Sequence, residues 1–414
     1  MPQILCVGTA DTKGRELAHL CAILRRHHPD VRLVDVSTQT PAADADIHAD
    51  QIAAHHPDGP HAVLGLSDRA QSDRAQSDRG QSDRARSDRG RAVAAMAVAF
   101  ARFLPTLPDL AGVIGIGGGG GTSIITAGLR ELPYGLPKIM VSTLASGDTA
   151  PYVGISDLIM LPAVTDFAGL NPLNRMILHN AAHALLGMVA HPAPKTATKP
   201  ALGLTMFGVT TPCVTAITKA LPGYDCLVFH ATGTGGRTME KLADSGLLAG
   251  FIDITTTEVA DYLCGGALPC TADRFGAVAR SGLPWVGSVG ALDMINFGPP
   301  DTVPERFKGR RFYHHNPQVT LMRTTADECH AIGIWIAQRL NLCAGPIHLL
   351  LPEGGISSLD TPGGPFHDPQ ANAALFSAIE ATLRPTPQRQ IHRLPHHINH
   401  PEFAAACVAA FHNR

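Results

Sequence analysis

Ten short apolar runs, most of them closing on small or polar residues, constrain what this chain can fold into. The first half carries ILCVG (4–8), VRLVDV (31–36), GVIGI (112–116), KIMVST (138–143) and DLIML (157–161). The second half repeats the pattern with ALGLTMFG (201–208), DCLVFHA (225–231), GFIDI (250–254), PWVGSVG (284–290) and IHLLLP (347–352). Helical patterns lie between them, among them GRELAHLCAILRRH (14–27), NRMILHNAAHALLGMVA (174–190) and MEKLADSGLL (239–248). A strand that is apolar at nearly every position is buried on both faces, as in a parallel sheet covered by helices. The expected class is therefore α/β, with two Rossmann-like doubly wound domains whose mainly parallel sheets face a cleft. The stretch AHPAPKTATKPA (190–201) has no apolar periodicity and separates a domain over 1–193 from one over 200–414. With 45% hydrophobic residues in 414, two cores can be filled.

Charge excludes some functions. The chain carries 33 Lys+Arg against 35 Asp+Glu, a net charge of −2, and no basic stripe, so a nucleic-acid partner is not expected. Its apolar runs are too short, and too often broken by Gly or Pro, to span a membrane. MPQILCVGTADT enters a strand at once without a signal-peptide pattern, which suggests the cytoplasm. Nine cysteines, an odd number with no CxxC pair, read as reduced thiols, so neither zinc nor another metal site is expected. Histidine doublets occur at 27–28, 55–56, 314–315 and 396–397; adjacent side chains diverge, so a doublet is a poor chelator. Residues 67–91 are five tandem SDR pentads with nothing larger than Ala to bury. They read as a solvated insertion, away from any functional motif, or at most a frayed extension of the helix over 91–104.

The chemistry centres on GVIGIGGGGGTS (112–123). Five glycines between a strand and a helix start remove the Cβ atoms that keep a ligand from the backbone, and the helix that follows, read as SIITAGLRELP, points free N–H groups into the loop. The expected anion site comprises Gly117, Gly118, Gly119, Gly120, Gly121, Thr122 and Ser123. NAD is disfavoured because the next strand ends Val141-Ser142-Thr143, without the ribose-binding acid, and the Walker lysine is missing too. Ser146, Gly147, Asp148 and Thr149 follow that strand and read equally as ligands, with Asp148 on ribose or a magnesium water, or as a locally capped turn. Thr9, Asp11, Thr12 and Lys13 end the first strand, where helix capping competes with ligand binding. In the second half, Gly233, Thr234, Gly235, Gly236 and Arg237 form a companion glycine turn with an arginine suited to phosphate. Weaker acid–base candidates are His230, Glu258, Asp293, His315 and Glu353; the stretches around Asp293 and His315 read as irregular.

These motifs carry a resemblance. GVIGIGGGGGTS, STLASGDTAPYVG, FHATGTGGRTME, DITTTEVADY, SVGALDMINFGP and LPHHINHPEF resemble the signature segments of the tobamovirus-resistance-protein-like ATP-binding domain family, over the whole chain except the pentads. The resemblance implies two Rossmann-like domains, ATP binding and homodimerisation; magnesium is the expected companion if ATP binds. Plant members add a TIM-barrel-like domain. This chain resembles the stand-alone form, for which a separate TIM-barrel protein would be the partner. The family glycine loop falls on Gly117 to Gly121 with Thr122 and Ser123, and the second turn on Gly233 to Arg237; no catalytic residue carries over. The expectation is an ATP-binding or nucleotide-binding protein. Its rivals are a hydrolase, lyase or isomerase acting on a small phosphorylated or carboxylated metabolite, and a nucleotide-gated interaction module.

Overall fold

In the computed structural model the described residues are 2–39, 44–64, 81–193 and 199–413, with residues 81–88 described by their backbone alone. The pentads over 67–80 lie outside them. The chain divides into two compact units, 1–195 and 196–414. Each is built on its own parallel sheet.

The first unit has five strands: β1 (Gln3–Gly8), β2 (Val31–Asp35), β3 (Leu110–Gly117), β4 (Lys138–Ser142) and β5 (Ile159–Pro162). They lie in the order β2-β1-β3-β4-β5, all parallel. Alternate side chains of β1 explain its unbroken hydrophobicity. Ile4 and Cys6 pack with Leu20, Leu178 and Leu185 of the helices Ala10–Arg25 and Pro172–Ala190, whereas Leu5 and Val7 pack with Phe100 and Ile124 on the opposite face. The helix Pro172–Ala190 starts where Asn171 accepts the N–H groups of Leu173 and Asn174, with Pro172 in the first turn. Because the helix after β1 covers one face and the helix after β3 the other, the chain reverses its winding between these neighbours. Their loops diverge there.

The second unit begins with β6 (Ala201–Met206), β7 (Asp225–His230), β8 (Gly250–Thr255) and β9 (Trp285–Gly290). A small antiparallel sheet follows, of β10 (Met294–Phe297), β11 (Phe312–Asn316) and β12 (Val319–Arg323), before β13 (Ile347–Pro352) and β14 (Arg389–Leu394) complete the main sheet. The parallel order is β14-β13-β9-β8-β6-β7, the winding of the first unit with one more strand. All ten apolar runs fall on strands. The segments around Asp293 and His315, read as irregular, instead supply the β10-β12-β11 sheet. β10 is buried throughout, whereas β11 is exposed over its last three residues, His314 to Asn316.

A buried ion cluster ties the second unit together. The Arg274 guanidinium donates to Glu258 at 2.6 Å, to Glu240 at 2.9 Å and to both oxygens of Asp253 at 2.8 Å, and the Trp285 indole N–H reaches Asp253 at 3.2 Å. Three carboxylates against one guanidinium leave excess negative charge out of water. Burial pushes the Glu240 carboxyl up to about 7, with Arg274 opposing the shift. Burial also raises Asp261 and Asp293 to about 7.

Two outcomes follow. Arg274→Ala, which strands three buried carboxylates, should cost about 3–5 kcal/mol in denaturant unfolding. The raised carboxyls bind protons more tightly in the folded chain than in the unfolded one. Their contribution is therefore full below the unfolded pKa of about 4 and is lost as pH rises through 7. Unfolding midpoints measured from about pH 5 to about pH 8 should fall, and Glu240→Gln should flatten that fall.

Candidate functional site

The crevice between the diverging loops of β1 and β3 holds a cavity of about 210 Å³. It is lined by Thr9, Asp11, Thr12 and Lys13 after β1, by Thr38 and Gln39 after β2, and by Gly118, Gly119, Gly120, Gly121 and Ile124 after β3. Arg89 and Val93 of the helix Gln81–Phe103 close the remaining side. Two cations, one carboxylate, three threonine hydroxyls and a run of backbone N–H groups thus face one space.

The glycine run is more helical than its sequence suggests. Gly118 is the N-cap and the helix spans Gly119–Leu129, so Gly119, Gly120 and Gly121 form its first turn and their N–H groups precede any intrahelical acceptor. Glycine serves two purposes here. At Gly115 a Cβ would sit 2.6 Å from Ile125 Cγ2, and at Gly117 2.8 Å from the Thr122 nitrogen, so these two let the helix seat on β3. At Gly118, Gly119, Gly120 and Gly121 the nearest neighbours would be 3.7, 3.9, 3.4 and 3.8 Å away, and none has a positive φ. The protein itself leaves room for a side chain at these four.

The β1 loop is held by groups the sequence reading passed over. Asp35, fully buried at the end of β2, accepts the Ala10 N–H at 3.0 Å and the Ser37 N–H at 2.9 Å, and also the Ser37 hydroxyl. Ser37 in turn accepts the Asp11 N–H at 3.1 Å. The helical path breaks at Lys13 (φ −131°), so Thr9 to Lys13 make a separate turn, with the Thr9 and Thr12 hydroxyls 2.9 Å apart. An acid followed by hydroxyls and an amide in VDVSTQT was the available signal. Arg89 corrects the reading of the pentads as remote: the helix starts at Gln81, within the repeats, and brings Arg89 of the final pentad to the cavity.

Other expected ligands lie elsewhere. Thr122, in the helix Gly119–Leu129, is buried with its hydroxyl 2.7 Å from that of Ser142 at the end of β4, and Ser123 does not line the cavity. Ser146, Gly147, Asp148 and Thr149 also lie outside its lining, and Asp148 accepts the Ala150 N–H at 3.0 Å as a local cap. In the second unit, Gly233 has φ +76° and a Cβ there would overlap the Pro269 carbonyl. Added Cβ atoms would likewise overlap the His230 carbonyl at Gly235 and the Glu258 carboxylate at Gly236. The fold itself therefore demands those three glycines. Thr234 and Arg237 are exposed at the helix entrance. The second unit's own winding reversal, between β6 and β8, is bridged by protein groups. The Thr210 and Thr255 hydroxyls meet at 2.8 Å, and Asn399 accepts the Cys213 N–H at 3.3 Å.

The acid–base candidates do not converge. His230 stands exposed at the end of β7 against Phe207, and His315 is exposed on β11. Glu258 is buried against Arg274 and the Gly233 N–H. Glu353 pairs with Arg393 at 3.1 Å. Asp293 accepts the Ser357 hydroxyl at 2.7 Å, its other oxygen buried without a partner.

Comparison with known proteins places this architecture. The N-terminal domain model of the Uncharacterised protein family (UPF0261) matches residues 2–194, and its C-terminal domain model matches 199–414. The chain belongs to this family. A UPF0261 protein of Mesorhizobium japonicum is 63% identical over 412 residues, covering 99% of this chain and 98% of that protein. The ToMV resistance protein Tm-1(GCR237) of Solanum lycopersicum is 41% identical over 436 residues, covering 99% of this chain but 55% of the tomato protein. A UPF0261 protein of Clostridium tetani is 40% identical over 408 residues, covering 98% of this chain and 96% of its own length. The resemblance to the tobamovirus-resistance group is thus a family relationship. Among the described residues, no helix is long and apolar enough to cross a membrane.

The two glycine clusters should respond oppositely to one methyl group. Gly236→Ala should lose about 1–3 kcal/mol of stability through overpacking. Gly119→Ala should leave the thermal midpoint unchanged or raise stability by about 0.4–1 kcal/mol, since its backbone suits alanine. Thermal unfolding of the two variants checks both.

Proposed function

We propose that the first unit binds ATP or a related phosphorylated ligand at the crevice between β1 and β3. The phosphates would sit on the Gly118–Gly121 turn. The observation that carries this reading is the pair of facts about that turn: four glycines whose Cβ atoms nothing in the protein excludes, lining a cavity with Lys13 and Arg89. Glycine at four such positions costs conformational entropy that no packing contact offsets, and close approach of a ligand to the backbone supplies the reason. First-turn N–H groups and two cations favour an anion, and Thr9, Thr12 and Thr38 add hydroxyl donors for its oxygens. Asp11 is the carboxylate on the same wall, suited to a magnesium water accompanying the nucleotide. Without a Walker lysine and with dispersed acid–base candidates, binding rather than hydrolysis is the function supported. In the second unit's equivalent crevice the Thr210 and Thr255 hydroxyls pair with each other and Asn399 takes the Cys213 N–H, which favours the first unit as the site.

Calorimetric titration with ATP, ADP, AMP and phosphate tests the reading. ATP should bind the wild type and lose at least about tenfold in affinity, about 1.4 kcal/mol, in Gly119→Val. Lys13→Ala should show a loss in the same direction that diminishes at high salt. Equal ATP affinity in wild type and Gly119→Val would remove the turn as the phosphate site. If no nucleotide binds while phosphate or a carboxylated metabolite does, the ligand is not a nucleotide.

A further inference from the structure

We infer that His396, His400 and Glu402, in the second unit, form a three-ligand site for a divalent transition-metal ion of the zinc type. The inference is independent of the nucleotide reading. One ligand atom from each residue lies within 4.8 Å of the other two. His396 Nε2 is 2.8 Å from a Glu402 carboxylate oxygen. The His396 and His400 rings stack with centroids 4.8 Å apart and planes 8° from parallel. Bonds of about 2.0–2.2 Å from imidazole nitrogen and carboxylate oxygen to zinc, in tetrahedral geometry, separate the ligand atoms by about 3.3 Å. The 2.8 Å pair and the 4.8 Å limit on the set lie on either side of that value, so small side-chain adjustments would bring the three atoms onto one ion.

The backbone beneath is fixed. Following β14, the His396 carbonyl accepts the Gly354 N–H at 3.0 Å, and Ile398 donates to the Gly355 carbonyl at 2.9 Å. The Asn399 side chain donates to the Val209 carbonyl at 2.9 Å. The doublet diverges as adjacent residues must: His397 turns to the Ser357 carbonyl at 2.8 Å, leaving His396 for its neighbour four residues on. His400 makes one long contact with the Glu402 N–H, 3.3 Å, which metal binding would exchange for a coordinate bond. Two imidazoles and one carboxylate suit zinc and its neighbours rather than magnesium or calcium, which take oxygen ligands. The Glu402 side chain is 69% exposed and that of His396 26%, so water completes the coordination. The site lies beyond the carboxyl end of a parallel strand, where open α/β sheets place their ligands. The missing CxxC pairs bear on thiolate sites, not on a set of histidines and a carboxylate.

The test uses the full chain after dialysis against a chelator. Zinc is titrated calorimetrically, and cobalt(II) serves as a visible-absorbing stand-in. Wild type should take up one tight equivalent of zinc and give a cobalt spectrum of low coordination number. Glu402→Gln, at an exposed position, and His400→Asn, which retains a capping side chain, should each weaken zinc at least about tenfold with unchanged circular dichroism. His183→Ala should bind as wild type does; His183 belongs to another histidine pair, its ring 4.3 Å from that of His179 and tilted 48° to it. The proposal is overturned if wild type takes up no tight equivalent. It is equally overturned if the combined Glu402→Gln, His400→Asn chain keeps that equivalent, or if His183→Ala loses it.

Discussion

The close seating of the helix Gly119–Leu129 on β3 is the constraint on which the first unit's architecture depends. Gly115 and Gly117 admit Ile125 and the Thr122 backbone to within a distance no side chain would allow. With the helix drawn down onto that face, and the helix Ala10–Arg25 on the other, the loops after β1 and β3 must part. The cavity is the consequence of that parting. Asp35 then fixes the β1 side of it from below by holding the amide of Ala10 and both groups of Ser37. A buried carboxylate with several donors is rigid, and so is the turn it carries.

The second unit winds the same way and reaches a different end. Its reversal point is bridged by threonine hydroxyls and Asn399, and its glycine turn is tight because the chain folds against itself there. Its centre is electrostatic: Arg274 draws Glu240, Asp253 and Glu258 from three elements to one point. Such a cluster makes the unit sensitive to the loss of any one member, because the survivors remain out of water. It also accounts for Glu258, which lies in an appealing sequence context yet has its oxygens engaged by Arg274 and the Gly233 N–H.

Much of the site was legible in the sequence. Thr9, Asp11, Thr12 and Lys13 were identified from their place after a strand, and Gly118 to Gly121 from the run itself; the fold brings both sets to one cavity. Thr38, Gln39 and Arg89 were missed for different reasons. The first two follow a strand in a segment with no glycine signature. Arg89 sits in a repeat whose neighbouring charges disguise the arginine that the helix brings to the cavity. The antiparallel sheet was missed because Met294–Phe297 and Phe312–Asn316 are too short and too mixed to show a period.

Local pattern determined the class of this protein: continuous apolar runs require two covered faces, and a strand–glycine–helix junction requires a backbone exposed to whatever lies before it. Those are properties of neighbours along the chain. Which glycines serve the fold and which leave space is a matter of distance between segments far apart in sequence. Gly119 and Gly236 look alike in their motifs. Only the tertiary structure sets a carboxylate against one and open space against the other.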